Sequence, residues 1–281
     1  MSFITLIKPG LIFGNLVTLC SGFFLATNQC ETWSFFLFIN LVFAMTLVFA
    51  SGCVINNCID HDIDRIMERT KNRPTASGLV STAIYLKYGI AIGILGLLLL
   101  FFFVSYLSAF LAAFGLFVYV VLYTIFLKRS SVFSTVIGAV AGSVAPVIGY
   151  VSLVNYLDLI ALTLFIIVFF WQIPHFFSIV LCRERDYRAI NIPLFPLVYG
   201  IFYTKVSALL SIFLYLLSIM ILSFIVHLNV LSLLFAVFLG LLWSALAIYG
   251  FFIETYILQW ARKMFIFSIV NIFCLSFALA L

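Results

Sequence analysis

The sequence predicts an all-α polytopic membrane protein, with nine transmembrane helices around a central cavity and a single domain over residues 1–281. Three observations carry this: the composition, the spacing of the apolar runs, and the side on which the cations fall. Hydrophobic residues make up 66% of the chain and charged residues only 8%, where soluble domains carry roughly 25% charged residues. A soluble fold of this length cannot hide so much apolar surface, so the surrounding solvent is lipid. The 34 phenylalanines add to the lipid-facing surface and carry no functional weight.

The elements follow in order. The stretch from Met1 to Pro9 is short, holds only Lys8, and leads into a run of full membrane length. It lacks the basic start and small-residue cleavage site of a signal peptide, so the first run is read as a retained span. A span needs about 20 apolar residues. Such runs fall at 11–27, 35–55, 84–104, 108–127, 133–153, 159–181, 206–226, 231–253 and 264–281. With the N-terminus cytoplasmic, all 14 Lys and Arg lie on one side. Lys8 precedes span one. Arg65, Arg69, Lys71, Arg73 and Lys87 follow span two, and Lys128 and Arg129 follow span four. Arg183, Arg185, Arg188 and Lys205 follow span six, and Arg262 and Lys263 follow span eight. The opposite loops hold Glu31, Asp158 and His227. This is the positive-inside asymmetry of a bacterial inner-membrane protein, and a missed or extra helix would scramble it. The net charge of +5 needs no nucleic acid to explain it. The six cysteines form no CxxC pair and read as small buried hydrophobes.

Two cytoplasmic connections are much longer than the rest, 56–83 and 182–205. Long loops between tightly connected elements are usually functional. The first opens Asn56-Asn57-Cys58-Ile59-Asp60-His61-Asp62-Ile63-Asp64-Arg65. If the helix of span two continues through it, Asn56, Asn57, Asp60 and Asp64 share an arc of roughly 100°, and Asp62 points away. Two carboxylates and amide oxygens on one face make a hard-oxygen site that suits Mg²⁺ together with substrate phosphate oxygens. Arg65, Arg69, Lys71 and Arg73 follow at once. Cations beside metal-binding carboxylates suit a diphosphate. The second loop runs from Arg183 through Arg185, Asp186, Tyr187 and Arg188 to Ile192-Pro193. There Asp186 is a candidate ligand of a second Mg²⁺, with Arg183 and Arg185 on phosphate. Tyr187 is open between an interface anchor and a hydrogen-bond donor in the site.

These residues resemble the intramembrane prenyltransferase superfamily typified by the UbiA enzymes, and within it the protoheme IX farnesyltransferase branch. The likeness lies in Asn56 to Pro74, in Trp171-Gln172-Ile173-Pro174-His175-Phe176, and in Arg185 to Pro193. Asn57 stands where the general first motif has Asp, Ile190 where the second has its final Asp, and Arg185 where a Lys is common. The resemblance implies farnesyl diphosphate and heme b as substrates, Mg²⁺ as cofactor and heme O as product. It implies Mg²⁺ on Asp60, Asp64 and Asp186, and phosphate contacts from Arg69, Arg73 and Arg185. A heme-handling protein or terminal oxidase is an implied partner.

His175 sits inside span six, and a polar residue there is functional by default. It is read toward heme, with iron ligation, a propionate contact and a proton relay left open. Trp171 is open between stacking and packing. Pro146 signals a kinked or closely packed helix near the cavity. Competing readings are a prenyltransferase with a quinone-precursor acceptor, a transporter, and a non-catalytic assembly factor for an oxidase.

Overall fold

A computed structural model describes residues 4–78, 81–253 and 255–280, with side chains from Leu6 onward. Parts of three expectations lie outside these: residues 1–3 of the N-terminal stretch, residues 79 and 80 of the first long loop, and residue 281 at the end of the last span. Among the described residues nine helices are long and apolar enough to cross a membrane. They are Pro9–Cys30, Phe35–Ile59, Thr82–Phe103, Tyr106–Leu127, Ser134–Val154, Leu159–Cys182, Phe195–Val226, Val230–Phe252 and Ile257–Ala280. The helical state follows from the solvent: in hydrocarbon every backbone N–H and C=O must be satisfied within the segment.

Consecutive spans pack side by side, and the ninth closes on the first. Three further contacts join spans that are not consecutive: the first against the fifth, the sixth against the ninth, and the second against the fourth. The first–fifth crossing brings main chain against main chain. A Cβ on Gly22 would lie 2.0 Å from the Pro146 carbonyl oxygen, and one on Gly149 would lie 1.9 Å from that of Leu19. Small residues that let backbones touch are how helices associate where lipid gives no hydrophobic drive. Pro146 thus marks a close packing, as expected from the sequence.

Two span boundaries differ from the sequence reading. The seventh helix starts at Phe195, not 206, and bends at Gly200 (φ 83°, ψ 179°). Pro196 in its first turn is well placed to start it. Lys205, read as a loop cation, is only 7% exposed inside this helix. Its Nζ donates to the Ile253 carbonyl at 3.0 Å and lies over the Trp260 ring. A single charge shortened the apolar window, but a long aliphatic stem lets that charge reach a partner from inside a helix. The ninth helix likewise takes in Arg262 and Lys263, which stand exposed in its second turn. The second long loop is therefore shorter than expected and carries a short helix, Glu184–Ala189.

Candidate active site

Both long loops fold over the charged end of the bundle. Ile63 of the first packs against Val180, Ile192 and Leu194 of the second, and Tyr187 and Ile190 lie against this cluster. The clasp puts the two loops over one cavity.

The second span ends at Ile59, and a short helix, His61–Ile66, follows Asp60. The turn pattern survives the break. Asp60 N–H donates to the Asn56 carbonyl, and Asp64 N–H to the Asp60 carbonyl, both at 2.9 Å. Asn56, Asp60 and Asp64 therefore stay on one face. Asp62 points the other way and takes two hydrogen bonds from Arg129, at 2.6 and 2.7 Å. Those bonds hold its carboxyl down at about 2.

Asp60 and Asp64 are 1% and 4% exposed. A buried carboxylate costs several kcal/mol unless it is paired. Lys128 pairs with Asp60, and Arg73 with Asp64 at 2.6 Å. Asn56 Nδ2 donates to Asp60 Oδ2 at 2.8 Å and to Thr124 Oγ1 at 3.1 Å, while its Oδ1 accepts from Lys8 Nζ at 2.6 Å. One acceptor is left over. Asp60 Oδ1 is buried with no hydrogen-bond partner, and Arg129 Nη2 stands 3.7 Å away.

These groups line a cavity of about 210 Å³. Asn56, Asp60 and Asp64 line it together with Lys8, Arg69, Arg73 and Lys128. Phe176, Ile179, Ile63 and three tyrosines, Tyr119, Tyr123 and Tyr187, complete the wall. Four cations stand against two carboxylates, so the cavity carries excess positive charge and suits a polyanion. The residues also fit Mg²⁺. An unfilled buried carboxylate oxygen and a second carboxylate one turn on are hard-oxygen donors, and Mg²⁺ commonly takes one or two carboxylates plus substrate phosphates.

Lys8 reaches this site through an unusual backbone. It adopts φ 52° immediately before Pro9, a left-handed conformation that is uncommon outside glycine. Asn57 holds the segment in place, its Nδ2 donating to the Leu6 carbonyl at 2.8 Å. Burial lowers Lys8 to about 8.

The fourth span changes winding as it approaches the cavity. Residues Val118–Leu127 form a π-helix, and the Lys128 amide bonds five residues back to the Tyr123 carbonyl at 2.8 Å. A π-helix holds about 4.4 residues per turn, and such segments cluster at functional sites. Positions 119, 123 and 128 then fall within roughly 50° of one another, whereas α-winding would carry 128 to the opposite side from 119. Tyr119 and Tyr123 stack at 5.8 Å, and Lys128 extends their face to Asp60.

The remaining expected site residues are placed as follows. Arg69 and Arg73 line the cavity. Asn57 is fully buried with its amide engaged, its Oδ1 accepting from Arg73 at 3.2 Å. Arg65 clamps the loop by donating to the Ala76 carbonyl at 2.9 Å. Lys71 pairs with Glu68 on the surface at 2.6 Å. In the second loop Tyr187 lines the cavity, while Arg185 is exposed and half-buried Asp186 stands one residue from the wall. Among the described residues no group of three His, Cys, Asp or Glu side chains gathers around one point. Sequence reasoning missed Lys8 and Lys128, which it took as topology signals, and Tyr119 and Tyr123, which it took as span residues.

A second cavity of about 690 Å³ shares Lys8, Leu11, Arg69, Arg73 and Ile179 with the first. It is also lined by Cys182, Arg183, Arg262 and Phe265. Next to Phe265 lies His175, between the sixth and ninth spans. Its ring stacks on Trp171 at 4.8 Å and on Phe265 at 5.1 Å. Ser268 Oγ donates to the Phe265 carbonyl at 2.6 Å and sits 2.7 Å from His175 Nδ1. With its proton already committed, Ser268 accepts from Nδ1–H, which leaves the lone pair of His175 on Nε2. Trp171 Nε1 donates to the Ser268 carbonyl at 2.7 Å, which fixes the group.

A model of the UbiA prenyltransferase family matches residues 15–269. The chain belongs to this family. As a UbiA-family chain it is 40% identical over 269 residues to a protein of Yersinia enterocolitica named protoheme IX farnesyltransferase, covering 96% of this chain and 90% of that one. It is also 40% identical over 275 residues to a protein of the same name from Pseudomonas savastanoi pv. phaseolicola, covering 98% and 92%. Two solved structures share the fold. One, from work on digeranylgeranylglyceryl phosphate synthase in membranes, superposes with a TM-score of 0.76 at 20% identity, covering 97% of this chain and 95% of that one. The other is a UbiA homolog from Archaeoglobus fulgidus bound to DMAPP and Mg²⁺, with a TM-score of 0.66 at 12% identity, covering 100% and 99%. At such identities they speak for the fold alone.

Proposed function

We propose that this chain transfers the farnesyl group of farnesyl diphosphate to a vinyl group of heme b, with addition of water, to give heme O and diphosphate. The observation that carries the reading is the cavity that Asp60 and Asp64 line together with Lys8, Arg69, Arg73 and Lys128. The likeness to proteins named protoheme IX farnesyltransferase supports the acceptor. The whole chain acts as one catalytic unit, with its charged end and both loops cytoplasmic in a bacterial inner membrane. Heme O would pass to a heme-handling or terminal oxidase partner.

Asn56, Asp60 and Asp64 would hold Mg²⁺, with Asp186 and its neighbour Tyr187 closing the site from the second loop. Bound there, the metal supplies Lewis-acid stabilisation of the departing diphosphate. Arg69 and Arg73 take up charge on its oxygens, and Lys8 and Lys128 turn from Asn56 and Asp60 to add to it. The bond from C1 of the farnesyl chain to oxygen breaks, and both electrons leave with diphosphate. The allylic cation is shielded from water by Phe176, Ile179 and the tyrosine faces. The terminal carbon of a heme vinyl group bonds to C1, which moves the positive charge to the carbon beside the pyrrole. Water adds there and loses a proton.

The test uses purified protein in detergent with heme b, farnesyl diphosphate and Mg²⁺, read by mass spectrometry. The expected product is heme b plus farnesyl plus water, lost on chelation. Transfer to an aromatic acid and not to heme would overturn the acceptor. Two finer expectations follow. Protonated Lys8 attracts the diphosphate and neutral Lys8 does not, so the KM for farnesyl diphosphate rises as pH passes about 8. Lys8→Arg, charged throughout, flattens that limb. His175→Ala lowers heme affinity about tenfold or more, the scale of one strong buried contact, and leaves the KM for the diphosphate unchanged. An equal loss toward both substrates would make His175 a packing residue.

A further inference from the structure

We infer that the second cavity is a carboxylate-binding subsite for the acceptor, in which Arg183 and Arg262 take the two propionate groups of heme. The inference rests on the heme acceptor proposed above. The cavity is about 690 Å³ and lies directly against the first, with Lys8, Arg69 and Arg73 in the wall between them. Arg183 ends the sixth span, and Arg262 stands in the second turn of the ninth. The two come from different helices to one rim. Both are exposed, and among the described residues neither meets a carboxylate. Nearby Arg188, by contrast, is paired with Glu184 at 2.7 Å.

The diphosphate does not account for this pair. The first cavity already turns four cations toward it, and neither Arg183 nor Arg262 lines that cavity. What the second cavity offers is two arginines with the ring of Phe265 in the same wall. Phe265 lines it and stacks on His175, which stacks in turn on Trp171. That profile matches a flat macrocycle with carboxylates along one edge and apolar vinyl groups away from them. Guanidinium forks bind carboxylates with two parallel hydrogen bonds. With the propionates held at the aqueous rim, the vinyl edge sits at membrane depth. It then faces the shared wall beyond which C1 of the donor lies.

The experiment compares heme b with its dimethyl ester, both propionates blocked, in phosphatidylcholine nanodiscs. Acceptor and donor KM are measured for the wild type, for Arg183→Gln/Arg262→Gln and for Arg183→Lys/Arg262→Lys. The expected result is an acceptor KM at least about tenfold higher for the ester in the wild type. The Gln pair raises the KM for heme by a similar factor and erases the difference between acid and ester. The Lys pair restores part of it, and the donor KM stays constant throughout. An unchanged KM for heme in the Gln pair overturns the subsite. So does a rise in donor KM instead, which would give these arginines to the diphosphate. So does an effect that follows added anionic lipid and treats acid and ester alike, which would give them to lipid headgroups. A wild type that transfers nothing to heme overturns the acceptor assignment itself, and the subsite with it.

Discussion

Asp60→Asn lowers farnesyl transfer by about a thousandfold or more, while Asp62→Asn, two residues away, leaves it within about twofold. The first figure is the scale of losing one preorganised charge at a site of developing charge. The two side chains differ in surroundings, not in chemistry. Asp60 is 1% exposed, faces the cavity, and keeps one oxygen without a hydrogen-bond partner. Asn in its place cannot offer a second anionic oxygen to a metal. It also leaves Lys128, the partner of Asp60, with an uncompensated charge next to Asn56. Asp62 is half-exposed at 51% and pairs with Arg129. An exposed pair of that kind contributes about 0.2–1 kcal/mol to stability and nothing to the cavity. Steady-state transfer, with a melting curve for each variant, checks the pair. Equal losses in both would mean that the loop's total charge matters and not the Asn56–Asp60–Asp64 face.

Gly149→Val removes the folded protein, and Gly14→Ala does not. Both residues lie in spans that cross the bundle. A Cβ at Gly149 meets the Leu19 carbonyl oxygen at 1.9 Å and the Phe23 amide at 2.9 Å. Backbone atoms have no rotamer to yield, so the first and fifth spans must separate along their crossing. Overpacking a flexible core costs about 1–3 kcal/mol. Here the cost exceeds that range, because the contact is with the main chain of the first span. It would exhaust most of the 5–15 kcal/mol typical of a whole domain. Gly14, on the same first span as Gly22, has nothing within 4 Å of an added Cβ. Size-exclusion profiles in detergent decide the matter. A monodisperse Gly149→Val with wild-type melting would show that the spans can part freely.

Much of this protein could be read from residues alone. Lipid leaves the backbone one way to satisfy itself, so long apolar runs had to be helices. Cations kept near one end of the runs then argued for their number. Three of the four residues expected on one face, Asn56, Asp60 and Asp64, line the cavity, because their spacing within two turns of helix is encoded locally; Asn57 does not, its amide being taken by Leu6 and Arg73. Even the outward direction of Asp62 followed from that spacing.

Tertiary structure decided what lies opposite that face. Lys8 reaches Asn56 across 48 residues, and Lys128 reaches Asp60 across 68. Neither distance leaves a mark in the sequence around either partner. Tyr119 and Tyr123 face the site only because the fourth span unwinds into a π-helix, and their polarity is hidden in an apolar run. Among the loop cations, spacing could not separate Arg69 and Arg73, which line the cavity, from Arg65, tied to Ala76, and Lys71, tied to Glu68. The sequence by itself determined nine spans and a face of carboxylates at the end of the second. The packing of distant spans decided which cations answer it, because a charge pairs with whatever the fold brings within a few ångströms.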